Sequence, residues 1–311
     1  MSAATQTTPP DTRPVAGRGS GPGSGPSAGP RRRAVSLRAP FGGRVAPVAG
    51  FAVPSAVVGV FLLAAVAPSV LAPGDPTAID LGAALSPPSW EHPFGTDQSG
   101  RDLLTRIVHG ARHSLLLGLG STAVAMTIAT ILGFAAGLGG RVVDRVVGSA
   151  LEVAFAFPTM LLALLLVAVR GPSVTTLVLA VGIGSAPGYA RMIRGQVRAV
   201  RGEAYVEAAR ALGHPYRDVV RRHVLPNALR PLVAVATLGI GQSIVWASGL
   251  AFLGMGVAPP SPEWGALLEA GRMYVTVAWW LEVMPGLAIV VLAVAVTALG
   301  RAIQKRLEGS V

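Results

Sequence analysis

The chain has 311 residues, of which 51% are hydrophobic and only 13% charged; its net charge is +11 and it contains no cysteine. A soluble domain of this length carries roughly twice that charged fraction, and a cysteine-free chain can hold no disulfide, thiolate metal site or thiol nucleophile. The basic residues cluster beside apolar runs rather than along an aromatic-studded surface, which speaks for membrane orientation and against nucleic acid as a partner.

Met1 to Gly50 is dominated by Gly, Pro, Ser, Ala and Arg, with Arg31, Arg32 and Arg33 in a row. Such a segment buries too little apolar surface to offset its ordering entropy and is expected to be a disordered tail (1–50). Phe51 to Leu71 is the first apolar run, near the ~20 residues that a helix needs to cross hydrocarbon. Its length and glycine-rich lead favour a retained span over a cleaved signal. The interval 72–111 is polar and proline-rich. Within it, Asp97 and Asp102 are expected to cap a helix or pair with Arg101 and Arg106, because with His92 and His109 they fit no common metal-ligand spacing.

Further apolar runs at about Ser114–Leu138, Val146–Val169, Val174–Met192, Leu232–Met255 and Trp280–Leu299 bring the count to about six spans, an all-α membrane protein. Gly133 and Gly137, four apart, predict close helix packing, as do Gly182, Gly184 and Gly188. Pro158 and Pro187 fall inside spans and are expected to kink them or to open a backbone carbonyl. The Trp279-Trp280 pair suits an interfacial belt. A membrane-spanning body over 51–307 is followed by a short tail, 308–311.

Between the fourth and fifth spans lies a polar, arginine-rich loop, 193–230. At helical spacing it splits in two. In the first piece Glu203, Glu207 and Arg210 share one face, and Ala204, Ala208, Ala211 and Leu212 another. Gly213 stands where a helix needs a left-handed residue to stop. Pro215 suits the first turn of a second short helix, with an apolar stripe of Tyr216, Val219, Val220 and Val224. Pro226 is expected to close it by pushing Leu225 from helical angles. A basic loop that only enforces topology would show the same periodicity. Placing the N-terminus inside leaves only Arg101, Arg106, Arg112, Arg170 and Arg272 outside, of 26 Lys and Arg. The expected topology is therefore N-in/C-in, with this loop in the cytoplasm.

The order Glu207-Ala208-Ala209, three residues, Gly213, then Leu225-Pro226 resembles the EAA loop of binding-protein-dependent ABC import permeases. The longer string Tyr205 to Asn227, ending HVLPN, is similar to the dipeptide, oligopeptide and nickel branch, which often carries histidine at His223. HPFGTDQSGRDLLTRIVHGARHSL, from His92, resembles the segment before the second span in peptide-type permeases. Leu250-Ala251-Phe252-Leu253-Gly254, Pro259-Pro260 and Pro262-Glu263-Trp264-Gly265 resemble the signature after their fifth span. Ala247-Ser248-Gly249 departs from the usual glutamate-alanine pair, and Arg301 stands where an acid is usual.

The resemblance covers roughly Ser55 to Leu307 and implies a type I ABC importer transmembrane domain in the cell membrane, the second, C-type permease of its pair. It implies that Glu203, Glu207, Ala208, Ala209, Gly213, Leu225 and Pro226 form an ATPase-coupling loop. The implied partners are a homologous second permease, two ABC ATPase subunits that bind ATP and Mg, and an extracytoplasmic solute-binding protein. Importers of oligopeptides, dipeptides, nickel chelates and glutathione share the pattern.

The residues themselves agree that this chain is not the enzyme and holds no cofactor of its own. Lys305, the only lysine, follows Gln304, so no Gly-Lys-Ser/Thr phosphate loop exists. An ion-coupled carrier or channel is the alternative, but such proteins place ionisable groups deep in the membrane. Here Glu152 and Glu282 lie near span ends. Gln242, near the middle of the fifth span, is with Ser243 and Ser248 a candidate for pathway lining. It equally suits a tie between two helices.

Overall fold

The computed structural model describes residues 49–308, so most of the expected tail over 1–50 and the residues after Glu308 lie outside the description. Ala49 and Gly50, expected at the tail's end, begin the first helix. In chain order the helices are α1 (Ala49–Val66), α2 (Pro68–Leu71), α3 (Leu103–Leu138), α4 (Arg141–Ala156), α5 (Thr159–Arg170), α6 (Val174–Arg201), α7 (Ala204–Ala211), α8 (Tyr216–Val219), α9 (Leu225–Leu250), α10 (Trp264–Gly271) and α11 (Trp280–Glu308). Among the described residues there is no strand, only one isolated bridge between Thr96 and Asp102.

Four helical stretches are long and apolar enough to cross a membrane: α3, α6, the run Tyr216–Met255, and α11. The apolar part of α1, Phe51–Val66, is shorter. The expected third span is not one helix. α4 and α5 meet at 84° around Phe157 and Pro158. Proline disfavours helical angles at the residue before it, and Phe157 is extended at φ −78°, ψ 130°. With no N–H at Pro158 to continue the ladder, the helix breaks there rather than bending. Pro187, by contrast, lies within α6, which runs on past it.

Pro226 also behaves differently from expectation. Leu225 stays helical at φ −57°, ψ −52°, and the helical run that begins at Tyr216 continues past it through α9. A five-residue π-turn, Val220–Val224, precedes the proline, and the Leu225 N–H bonds back to the Val220 carbonyl. The wider turn makes room for the ring and absorbs the register change. The second piece of the loop is therefore an extension of the fifth span, and not a separate short helix.

α3 is 36 residues long, about 54 Å, well over the ~30 Å of hydrocarbon. It starts eleven residues before the expected Ser114 because Asp102 caps it, accepting the Thr105 N–H at 2.8 Å. α3 packs most extensively on α6. Gly133 and Gly137 permit the approach: a Cβ on either would stand 2.7 Å from Ile193 or Val197 of α6.

Apolar residues gather in three clusters along the bundle. One, at the end carrying the 72–102 segment, joins Leu103, Ile107, Trp264, Leu267, Trp280 and Leu281. A second, of Leu117, Val167, Leu177, Val181, Ala247 and Leu250, joins α3, α5, α6 and α9. The third lies at the opposite end and includes Ile193, Val197, Val206, Ala209, Val219 and Val224.

The 72–102 segment is held by an acidic hub. Asp97 is 3% exposed; it accepts the backbone N–H groups of Ser99 at 2.8 Å and Arg101 at 3.0 Å and pairs with the side chains of Arg101 and Arg106. The expected pairing of Asp97 and capping by Asp102 are both present. His92 and His109 are engaged separately: His92 Nδ1 lies 3.1 Å from Asp102, and His109 Nε2 lies 3.1 Å from the Ala72 carbonyl. Trp280 is not an interfacial residue. It is 5% exposed and donates its ring N–H to the Thr96 carbonyl at 3.1 Å, pinning the segment to α11. Its neighbour Trp279 is half exposed.

Candidate functional site at the α6–α9 loop

α6 ends at Arg201, and Gly202 caps it by donating to the Ala199 carbonyl at 3.0 Å. Glu203 then takes an extended conformation, φ −69°, ψ 141°, and its carbonyl accepts the Val206 N–H at 2.9 Å. α7 follows. Its inward face is set by Val206 and Ala209, three apart, which are 0% and 6% exposed and pack in one cluster with Val219 and Val224. This differs from the expected Ala204, Ala208, Ala211 and Leu212 face, all of which is exposed. The larger Val206 takes the buried position, and Ala209 is the alanine that needs to be small.

Glu203, Glu207, Ala208 and Arg210 point outward, with Leu212 at 79% exposure and Tyr205 at 43%. α7 thus offers acidic and apolar groups amid a basic surround of Arg210, Arg217, Arg221 and Arg222, all exposed.

The end of α7 has the geometry expected for Gly213. Gly213 sits at φ +81°. Its N–H donates to Arg210 O at 2.9 Å, and the His214 N–H reaches Ala209 O at 3.2 Å. These two bonds form a Schellman turn, which satisfies carbonyls that the helix end would leave unpaired. Pro215 falls one position earlier than expected, as the N-cap of α8. Leu225 is half-buried and Pro226 exposed, on the helical run beyond the π-turn. The ring of His223 lies 6.3 Å from Tyr205, so the histidine braces α7.

The loop is also tied to distant elements. Arg201 Nη1 donates to the Gly137 carbonyl at 2.6 Å, and Tyr216 Oη donates to the Leu138 carbonyl at 3.1 Å. Asp144 of α4 accepts Arg194 Nε at 2.7 Å and pairs with Arg198 as well. None of these ties was foreseen: their partners lie 50 to 78 residues away, and two are backbone carbonyls that carry no side-chain signal.

The three candidate pathway residues part company. Gln242 is exposed. Ser243 is 2% exposed and accepts the Thr122 hydroxyl of α3 at 3.0 Å. Ser248 is 4% exposed, beside Gly265 of α10, where an added Cβ would meet Ser248 Cα at 2.8 Å. The two serines serve contacts within the chain. At the end carrying the 72–102 segment, Glu263 caps α10 through Gly265 N–H at 2.8 Å and Ala266 N–H at 2.9 Å. Burial pushes its carboxyl above the usual range, against those two donors.

Among the described residues the chain is an all-helical, multi-pass bundle with an exposed helix–glycine–helix surface at one end. The family model for "Binding-protein-dependent transport system inner membrane component" matches residues 129–309, and the chain belongs to that family. It is 41% identical to the probable D,D-dipeptide transport system permease protein DdpC of Escherichia coli, over 76% of this chain and 80% of that one. It is 37% identical to the di/tripeptide transport system permease protein DppC of Pseudomonas aeruginosa, over 76% and 80%. It is 38% identical to the glutathione transport system permease protein GsiD of Pectobacterium atrosepticum, over 71% and 73%. In fold it resembles a chain of the MetNI methionine ABC transporter in an inward-facing form, with TM-score 0.54 and 18% identity over 65% of this chain and 96% of that one. The fold is that of a type I ABC importer membrane domain, and the chain is a multi-pass inner-membrane component.

Proposed function

We propose that the chain is one of two homologous permease subunits through which peptides, or solutes of similar size, cross the membrane, driven by separate ATPase subunits that dock on α7. The observation that carries this reading is the division of α7: Val206 and Ala209 anchor it, while Glu203, Glu207 and Ala208 face outward and Gly213 ends it in a left-handed turn. A helix so presented, between α6 and the run into α9, is placed to pass a push to both spans. The relatives' names supply the solute class, since they are permeases for dipeptides, di/tripeptides and glutathione. The distribution of arginine supports placing α7 in the cytoplasm, where ATP is available.

ATP closes the ATPase pair, the two α7 loops move together, and the paired spans open outward to receive solute from an extracytoplasmic binding protein. ATP and Mg belong to the ATPase subunits. No Gly-Lys-Ser/Thr sequence occurs anywhere in the 311 residues. Of the candidate lining residues, Gln242 alone is exposed, and it is the one we assign to the solute path. A polar, uncharged lining passes solutes of differing charge without holding them, so selection rests with the binding protein.

The test is competitive uptake of several peptides by the complete transporter. Gln242→Ala should lower the rate while leaving the order of preference unchanged, and exchange of the binding protein should change that order. A new order in Gln242→Ala with the same binding protein would place selectivity in this subunit instead.

A further inference from the structure

The last four carbonyls of a helix have no partner within it, and at the end of α3 two of them meet residues of the loop. Ala135 is satisfied by the Gly139 N–H at 2.9 Å. Gly137 and Leu138 are satisfied by Arg201 and Tyr216, the residues that bracket the coupling loop. Arg201 is the last residue of α6 and Tyr216 the first of the helical run into α9, and between them stands α7. Both ends of the loop therefore grip the last turn of α3. The Arg201 guanidinium also brings positive charge to the negative end of the α3 dipole.

We infer that Arg201 and Tyr216 are positioning residues that carry the displacement of the coupling loop to α3, and through α3 to the broken α4–α5 pair. Without them a push on α7 reaches α3 only indirectly, through the packing of α6 on α3. With them the inner end of α3 moves as part of the same block. The turn from α3 to α4 is only Gly139 and Gly140. It is tight: a Cβ at Gly139 would lie 2.5 Å from the Ala135 carbonyl. α4 has its own tether, with Asp144 bound to Arg194 and Arg198 of α6. Gly148 lets the Arg194 side chain lie flat on α4, since a Cβ there would meet its guanidinium at 2.7 Å. The block ends at Phe157 and Pro158, where the chain turns by 84° into α5. That break is the nearest place at which a moving inner block can part from a stationary outer one.

The inference rests on the reading of α7 as the ATPase dock, and its test separates the two. The complete transporter is reconstituted with its ATPase subunits and binding protein, and solute moved per ATP hydrolysed is measured beside the amount of ATPase that co-purifies. Tyr216→Phe removes one hydroxyl at a half-exposed position and should lower solute per ATP about fivefold, the worth of one hydrogen bond, with ATPase association retained. Arg201→Gln should do the same, and Arg201→Lys, which keeps a charged donor, should recover part of the loss. If Arg201→Gln fails to assemble, Tyr216→Phe alone decides. Parent-like coupling in Tyr216→Phe and in the assembled Arg201→Gln would overturn the inference. If, in addition, Gly213→Val leaves coupling intact, the reading of α7 itself falls. If Gly213→Val uncouples while Tyr216→Phe does not, only the link to α3 is lost.

Discussion

Replacing Gly213 separates backbone conformation from packing. Gly213 sits at φ +81°, and a Cβ built there meets nothing within 4 Å. Substitution therefore costs conformational energy and nothing else. A left-handed L-residue costs about 1–2 kcal/mol, and a β-branched side chain costs more because its rotamers are restricted as well. Loss of the turn also releases the bonds Gly213 N–H to Arg210 O and His214 N–H to Ala209 O. One or two kcal/mol is roughly a 5- to 30-fold change in the population of the formed turn. Solute moved per ATP in reconstituted vesicles should fall in the order Gly213, Gly213→Asn, Gly213→Ala, Gly213→Val, with Ala down about tenfold. Asn should lose least because it enters the left-handed region more readily than other side chains. Parent-like transport by Gly213→Val would refute the reasoning, since no steric relief is available to explain it away.

The absence of cysteine makes topology directly testable. Glu91→Cys should react with an impermeant thiol reagent from outside, and Arg217→Cys only after the membrane is opened; the reverse pattern would overturn the orientation. Asp97→Ala should leave the 4%-exposed Arg106 buried without its partner. It should cost about 3–5 kcal/mol, seen as proteolysis within 72–102 and a lowered melting temperature; unchanged values would remove Asp97 as the hub of that segment.

Features legible in the sequence were those decided by a residue's own geometry or by neighbours one helical turn away. Gly213 is left-handed because only glycine takes that angle cheaply, and Gly133 and Gly137 mark a packing face because they recur at helical spacing. The prolines divide the cases. Pro158 breaks its helix as local rules dictate, whereas the effect of Pro226 is cancelled by the π-turn over Val220–Val224. Nothing in the proline itself distinguishes the two. Trp280 was read as interfacial because its burial depends on the Thr96 carbonyl, 184 residues earlier in the chain. The apolar face of α7 was misassigned by position because alanines at helical spacing look alike from outside and inside; the neighbouring Val219 and Val224 decide which one is covered. Arg201 and Tyr216 gave no signal, since an arginine and a tyrosine in a basic loop look solvated until the carbonyls they meet are known.

The most direct test of the account is uptake of a labelled dipeptide into vesicles holding this subunit with its permease partner and ATPase subunits, with and without ATP and the binding protein. The account predicts accumulation only when ATP and the binding protein are both present, and its loss on Glu207→Arg while this subunit remains in the membrane. Uptake that follows an imposed proton or sodium gradient, with the ATPase subunits left out, would contradict it.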